Sequence, residues 1–324
     1  MKAGILGVGY YVPENKVTNA DMEKIVETTD EWIRTRTGIE ERRFAAPEEF
    51  VSHMGAKAAE MAIKNAGIKR EEIGMIITAT ITGDYQWPST AGLIQEKLGL
   101  YGMPAFDISA ACSGFIYALG IAKDMVEAGT YKKVLIIAAE KLSTIIDMQD
   151  RGTCVLMGDG AGAAVVGESE NSNIMSVVLH ADGSKSKILY QPAGGSAMPA
   201  SVETVNNRLH YIKMDGKEVY KHAIEKMPAV LAEAMEKAGV TSGQVDFVIF
   251  HQANIRIIKS IAEKFGWPDE KNIVNIQKYG NTSAATIPIA LAEAIESGRI
   301  KKGNIVAFSA FGGGLTWGGA VIKV

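Results

Sequence analysis

The sequence predicts an α/β fold made by internal duplication, and two observations carry that expectation. Short β-branched apolar runs alternate with longer segments whose apolar residues recur at helical spacing, the pattern of helices laid over buried sheets. In addition, one order of elements occurs twice. FDISAACSGFIYALGIAKDMVEAGTYKKVLIIAA (106–139) and VNIQKYGNTSAATIPIALAEAIESGRIKKGNIVAFSA (274–310) each run strand, small-residue turn, helix, Gly, Lys-Lys, strand. A second pair flanks them, EEIGMIITA (71–79) and SGQVDFVIFH (242–251). Agreement over segments this long favours duplication over the chance likeness of two βαβ pieces.

In chain order, the apolar runs 75–80, 134–139, 161–166, 245–250, 305–310 and 320–324 read as strands. Phe115, Leu119, Ala122 and Val126 mark one helix face, and Ile287, Leu291 and Ile295 another. The 324 residues suffice for two domains or one large duplicated body, and the division expected is 1–170 and 171–324. Cys112 and Asn281 each stand 17 residues before a glycine, Gly129 and Gly298, which equates them. If a pseudo-twofold axis relates the halves, the two turns meet at the centre. Cys112 and Asn281 then face one another from two helix N-termini, with His251 arriving at a strand end.

Composition narrows the function. A net charge of −3 argues against a nucleic-acid-binding protein, and no apolar stretch is long enough to span a bilayer. The first residues reach Pro13 and Glu14 too soon for a signal peptide, and two cysteines make no disulfide framework, so a reducing cytosol is expected. Gly4-Ile-Leu-Gly7-Val-Gly9 has the wrong order for a dinucleotide fingerprint. Walker-type, HExxH and CxxC motifs are absent, so no dinucleotide fold site, P-loop or metal site has support.

Three turns carry candidate chemistry. Cys112, in Ser109-Ala-Ala-Cys-Ser-Gly114, lies in a small-residue turn ahead of a helix, where unpaired N–H groups and the helix dipole favour a thiolate. The same setting also suits a buried core thiol; Cys154 lacks it and reads as core. His251 ends the run VDFVIF beside Gln252 and Asn254, at the strand end where α/β proteins hold ligands. Asn281, in Tyr-Gly-Asn-Thr-Ser (279–283), is by itself equally a helix cap. His53, His180, His210 and His222 read as surface or structural. The glycine run from Gly312 to Gly319 either aims backbone N–H groups at an oxyanion or simply turns. A papain-like hydrolase shares Cys, His and Asn but not the local signature.

As a set, DEWIRTRTGI (30–39), the Cys112 turn, RGTCVLMGDGAGA (151–163), HQANIRI (251–257), GNTSAA (280–285) and FGGGLTWG (311–318) resemble the β-ketoacyl-acyl-carrier-protein synthase III family nearly end to end. The resemblance implies a thiolase-like five-layer αβαβα fold, a cytoplasmic homodimer, and a decarboxylating condensation of acetyl-CoA with malonyl-acyl-carrier protein that initiates fatty-acid synthesis. It implies no cofactor, CoA and phosphopantetheine thioesters being substrates. It makes Cys112 the nucleophile, His251 and Asn281 its partners, and the N–H groups of Cys112 and Gly313 the oxyanion hole. Asn281 as third member, with no histidine after His251, separates this family from the Cys-His-His elongating enzymes. Trp32 and Arg151 would sandwich the adenine of CoA, with Arg36 and Asn254 as further contacts. Lys221, Gln252, Arg256, Lys259 and Lys264 would dock the acidic carrier protein, and Trp87, Met157 and Phe311 would shape the acyl pocket. Three positions depart from the family pattern: Lys217 where asparagine is usual, Glu263 where a basic residue is common, and Trp87 where phenylalanine is usual.

Overall fold

A computed structural model describes residues 2–324. Two sheets face each other. The first comprises β1 (Ala3–Tyr11), β2 (Met75–Ala79), β3 (Ala105–Ile108), β4 (Lys133–Lys141) and β5 (Asp159–Glu168), in the order β1-β5-β4-β2-β3. The second comprises β6 (Asn173–Ala181), β7 (Phe247–Phe250), β8 (Ile305–Gly312) and β9 (Thr316–Lys323), in the order β6-β9-β8-β7.

Pairing sense reveals the duplication. From β1 inward the first sheet pairs antiparallel, antiparallel, parallel, parallel, and from β6 inward the second pairs antiparallel, antiparallel, parallel. Where the first sheet adds β3, the second has only a single parallel bridge, Val248 to Asn272. The chain passes from one sheet to the other at 169–172.

Helices complete five layers. α1 (Asp30–Thr37), α2 (Val51–Asn65), α3 (Thr90–Lys97), α4 (Gly114–Glu127), α5 (Gly216–Ala238), α6 (Ile255–Lys264) and α7 (Thr286–Glu296) are those that matter here. α2 covers the outer face of the first sheet, α5 the outer face of the second, and α4 with α7 fills the space between. That middle layer joins Phe115, Leu119, Ile287 and Leu291 to Ile77, Ile136, Phe308 and Ala320 in one core, so the two halves share their interior. α4 and α7 are therefore apolar on most of their surface, as helices buried on both sides must be.

The six runs expected as strands all overlap strands, and the strand read ahead of the Cys112 turn is β3, but β1 and β6 were not expected. The strand read at the head of 274–310 is not one, since Ile276–Tyr279 is a helical turn. β1 is concealed by its glycines: a Cβ at Gly7 would stand 2.2 Å from the backbone N of Ala66, and one at Gly9 2.4 Å from the Ala58 carbonyl. Their role is close helix-on-strand contact rather than strand propensity.

Candidate active site

The Cys112 turn follows β3 and is a single 3₁₀ turn, Ala111–Ser113, leading into α4. Ala111 has φ 45°, a left-handed conformation that a residue with a Cβ adopts only under tertiary compulsion. The second half repeats this: Ser283, in the 3₁₀ turn Ser283–Ala285 ahead of α7, has φ 51°. The two turns do meet at the centre, where Ala284 Cβ lies 3.4 Å from where a Cβ on Gly114 would be. The register counted from the glycines needs correcting. Gly129 and Gly298 both end their helices with left-handed φ, 74° and 69°, but α4 has 14 residues and α7 has 11. The equivalent pair is therefore Ala111 and Ser283, and Asn281 stands two residues before the turn rather than opposite Cys112 in sequence.

A cavity of about 580 Å³ opens at this junction, lined by Cys112, His251 and Asn281 together with Met157, Phe311 and Gly313. His251 directly follows β7, and its N–H donates to Ser309 O at 2.9 Å. Its ring is buried, and Nδ1 lies 2.8 Å from the Thr286 hydroxyl at the start of α7. That hydroxyl also reaches Ser283 O at 3.1 Å, so it can donate to a bare Nδ1 or accept from Nδ1–H, serving either neutral tautomer. Burial pushes His251 down to about 3, which keeps the ring neutral at physiological pH.

Asn281 is held by backbone on both sides, its N–H donating to Leu156 O at 2.8 Å and its carbonyl accepting from Gly158 N at 2.9 Å. Its side-chain Oδ1 accepts from Ser283 N at 2.8 Å. With the amide oxygen committed, Nδ2 is the group left to the cavity, and it is a donor only. Fully buried Arg42 braces this segment from behind, donating to Val155 O at 2.7 Å and to Asn19 Oδ1 at 2.9 Å.

Cys112 keeps part of its surface open to the enclosed cavity, whereas Cys154 is fully buried. The expected depression of the Cys112 thiol is not what the surroundings produce. Burial pushes it up to about 12, the Ser283 hydroxyl beside it acts in the opposite direction, and the Glu140 carboxylate adds to the rise. Desolvation is thus the dominant influence at this position and favours the thiol.

The glycine loop between β8 and β9 is fastened to this turn. Thr316 Oγ1 donates to Ala110 O at 2.8 Å, and Ser113 Oγ donates to Thr316 O at 3.0 Å. A Cβ on Gly312 would stand 2.6 Å from Cys112 N, so only glycine lets the loop lie against the cysteine backbone. Gly313, next along, lines the cavity.

Two family models match the chain, "3-Oxoacyl-[acyl-carrier-protein (ACP)] synthase III" over 106–183 and its C-terminal counterpart over 235–324. A β-ketoacyl-[acyl-carrier-protein] synthase III from Caldanaerobacter subterraneus is 52% identical over 99% of this chain and 97% of its own length. The crystal structure of the Aquifex aeolicus 3-oxoacyl-[acyl-carrier-protein] synthase III superposes with a TM-score of 0.92 at 50% identity, covering 99% of this chain and 100% of that one. The priming β-ketosynthase of the R1128 polyketide pathway superposes as well, TM-score 0.93, at 35% identity over 100% of this chain and 96% of its own. The chain belongs to the β-ketoacyl-[acyl-carrier-protein] synthase III family. It is an acyltransferase-type condensing enzyme of thiolase-like fold, and its reaction is the initiating condensation of fatty-acid synthesis.

The other residues singled out in the synthase divide into those that reach the cavity and those that do not. Trp32, Arg36 and Asn254 line it. Arg151 stacks directly on the Trp32 indole, its guanidinium carbon 4.6 Å from the ring centre, and Arg36 stands 5.0 Å from the same ring. The slot expected between Trp32 and Arg151 is closed, so a purine entering it has to displace the guanidinium. Gln252 is no docking residue. It is buried, its Nε2 donating to Phe250 O at 2.7 Å and its Oε1 accepting from Asn275 N at 3.1 Å, so it ties β7 to the following chain. Arg256 also lines the cavity, and with Lys259 it is exposed on α6, with Glu263 on the same face at helical spacing. Lys264 turns toward α5, donating to Ile224 O at 2.5 Å, and Lys221 on α5 is exposed nearby. Met157 and Phe311 line the cavity, but Trp87 does not; it is 84% exposed on the loop between β2 and α3. No helix among the described residues is long and apolar enough to cross a membrane.

Proposed function

We propose that the synthase joins acetyl-CoA to malonyl-acyl-carrier protein through an acyl-Cys112 intermediate. The observation that carries this reading is the convergence of Cys112, His251 and Asn281 on one cavity that also holds Trp32, Arg36 and Asn254. In the first half-reaction Cys112 sulfur adds to the acyl carbonyl, its proton leaves, and CoA departs as the thiol. The N–H groups of Cys112 and Gly313 hold the oxyanion. Because the resting group is a thiol, its proton is the one taken up by the departing CoA sulfur, and no side-chain base is required for this half-reaction. In the second, malonyl loses CO2 and the electron pair passes into an enolate whose oxygen is held by His251 Nε2–H and Asn281 Nδ2. The enolate carbon then attacks the acyl carbonyl and Cys112 leaves as thiolate. Nothing in these steps calls for a metal or redox cofactor. The protein incubated with acetyl-CoA is expected to gain the mass of one acetyl group on the Cys112 peptide, and Cys112→Ser to gain none as thioester. An unlabelled native Cys112 would overturn the reading.

The exposed basic groups Arg256, Lys259 and Lys221 favour an acidic carrier protein over free CoA as donor of the malonyl group. Charge reversal at Arg256 is expected to raise KM for malonyl-carrier protein and leave KM for malonyl-CoA unchanged. Equal effects on both would remove this helix from carrier docking.

Trp87 supports a homodimer. With Tyr85 (63% exposed) and Ile81 (37%) it forms an apolar loop surface of the kind that proteins cover. In this reading the indole closes the far end of the partner subunit's acyl cavity and, being larger than the usual phenylalanine, favours acetyl over longer primers. Each refused methylene is worth about 1–3 kcal/mol, or roughly 10- to 200-fold in kcat/KM. Trp87→Ala is expected to narrow the preference for acetyl-CoA over butyryl- and isobutyryl-CoA. An unchanged ranking would free Trp87 of that role.

A further inference from the structure

The run VLIIAA at the heart of β4 is wholly buried, and it ends in a carboxylate, Glu140, that is 0% exposed. Among the described residues no cationic side chain pairs with it. The adjacent Lys141 ammonium is occupied by the carbonyls of Ala46, Pro47 and Glu49 at 2.6, 3.2 and 2.9 Å. Glu140 instead accepts from Thr80 Oγ1 at 3.2 Å, Ile81 N at 3.1 Å, Thr82 Oγ1, and Ser283 Oγ at 3.1 Å. An unpaired buried carboxylate costs several kcal/mol even when hydrogen-bonded, and an apolar residue would end this strand more cheaply.

What the carboxylate reaches is the reaction centre. Ser283 N–H holds Asn281 Oδ1, its carbonyl accepts from Thr286, which in turn meets His251, its hydroxyl donates to Glu140 Oε1, and Ser283 lines the same cavity as Cys112. We propose that Glu140, acting through the Ser283 hydroxyl, is a positioning residue that governs whether Cys112 keeps its proton. This rests on Cys112 being the nucleophile.

The physical basis is that a hydroxyl has one proton to give. When Glu140 is ionised, Ser283 O–H donates to it and offers sulfur only lone pairs, which suit a thiol and repel a thiolate. When Glu140 is neutral, Ser283 O–H is free to turn toward sulfur and stabilise the thiolate. Burial raises Glu140 to about 7, so both forms are present near neutrality. The other ionisable groups around it are accounted for: Cys112 across Ser283, His251 neutral against Thr286, Lys141 bound to carbonyls, and Asp159 on β5 held by Ala45 N and Ser143.

The test reads the thiol without any acyl substrate: iodoacetamide labelling of the Cys112 peptide as a function of pH. In Glu140→Gln, whose amide cannot ionise, thiolate appears at lower pH, and labelling at pH 8 rises roughly 10-fold for each unit by which the thiol is lowered. Thr82→Val removes one donor from the ionised carboxylate and shifts the profile the same way, by roughly 2- to 10-fold. In a Ser283→Ala background the Glu140→Gln effect is expected to shrink to the part owed directly to the carboxylate's charge. Profiles of Glu140→Gln and Thr82→Val that superimpose on native overturn the proposal. A full Glu140→Gln effect persisting in Ser283→Ala overturns the relay. Absence of an acetyl-Cys112 adduct would instead strike the nucleophile assignment and leave these profiles interpretable.

Discussion

His251→Ala and Asn281→Ala are expected to leave acetylation of Cys112 within several-fold of native, while slowing malonyl decarboxylation by roughly 10²–10³ each. That range is what loss of one donor to a developing oxyanion costs in a water-excluded site. The asymmetry follows from geometry. In the mechanism proposed above only Cys112 forms the covalent bond and its oxyanion hole is backbone, and Asn281 has only Nδ2 to offer because Oδ1 accepts from Ser283 N. Thr286→Val, which removes only the second partner of the His251 ring, is expected to lie between, at roughly 2- to 10-fold, the worth of a single hydrogen bond. Since burial keeps His251 neutral down to about pH 3, decarboxylation should show no loss between pH 5 and 8 attributable to this ring. The measurements are acetyl-protein mass against time and CO2 release from malonyl-carrier protein. Loss of acetylation in His251→Ala with decarboxylation intact would reverse the division of roles, and it would make His251 the base for the Cys112 proton alone.

Gly312→Ala is expected to reduce kcat/KM by about 10² and to lower stability by about 1–3 kcal/mol. The new methyl would meet Cys112 N at 2.6 Å, Cys112 Cβ at 3.0 Å and Cys112 Cα at 3.2 Å. The first and last are backbone atoms of a turn already fixed by Ala111 in a left-handed conformation, so no side-chain rotation relieves the clash. Either the loop retreats and carries Gly313 N–H away from the oxyanion, or the turn shifts and displaces sulfur. Gly183→Ala, with nothing within 4 Å of the added methyl, serves as the control and should match native. Thermal unfolding and steady-state kinetics on both variants decide the matter; native kcat/KM in Gly312→Ala would show that the loop has slack.

The residues of the candidate site were legible to different degrees, for reasons particular to each. Cys112, His251 and Asn281 stand at ends of apolar runs or beside glycine, and strand ends in α/β layers are where chemistry is exposed. Gln252 carries the same sequence signal as Asn254 beside it, yet one is a buried cross-tie and the other lines the cavity. Both lie in the turn between β7 and α6, where Asn254 caps the helix by accepting from Arg256 N, and no local pattern says which side chain of such a turn points inward. Glu140 and Ser283 were missed although each left a mark: a charge ending the run VLIIAA, and a serine two residues past Asn281. Neither mark distinguishes a solvated strand end from a buried acceptor before the two halves are brought together.

By itself the sequence determined the α/β layering, the duplication, the family and the three side chains that meet at the cavity, because periodicity and residue chemistry are local properties and survive in a linear string. Tertiary structure alone decided the register of the duplication, since α7 is three residues shorter than α4 and the equivalence is carried by the left-handed pair Ala111 and Ser283. It alone decided that β1 is a strand, because its glycines answer to the helix lying on them. The protonation of the centre belongs to the same class. A helix N-terminus argues for a thiolate, but desolvation by residues far away in the chain reverses the sign, and those residues are neighbours only in the folded molecule.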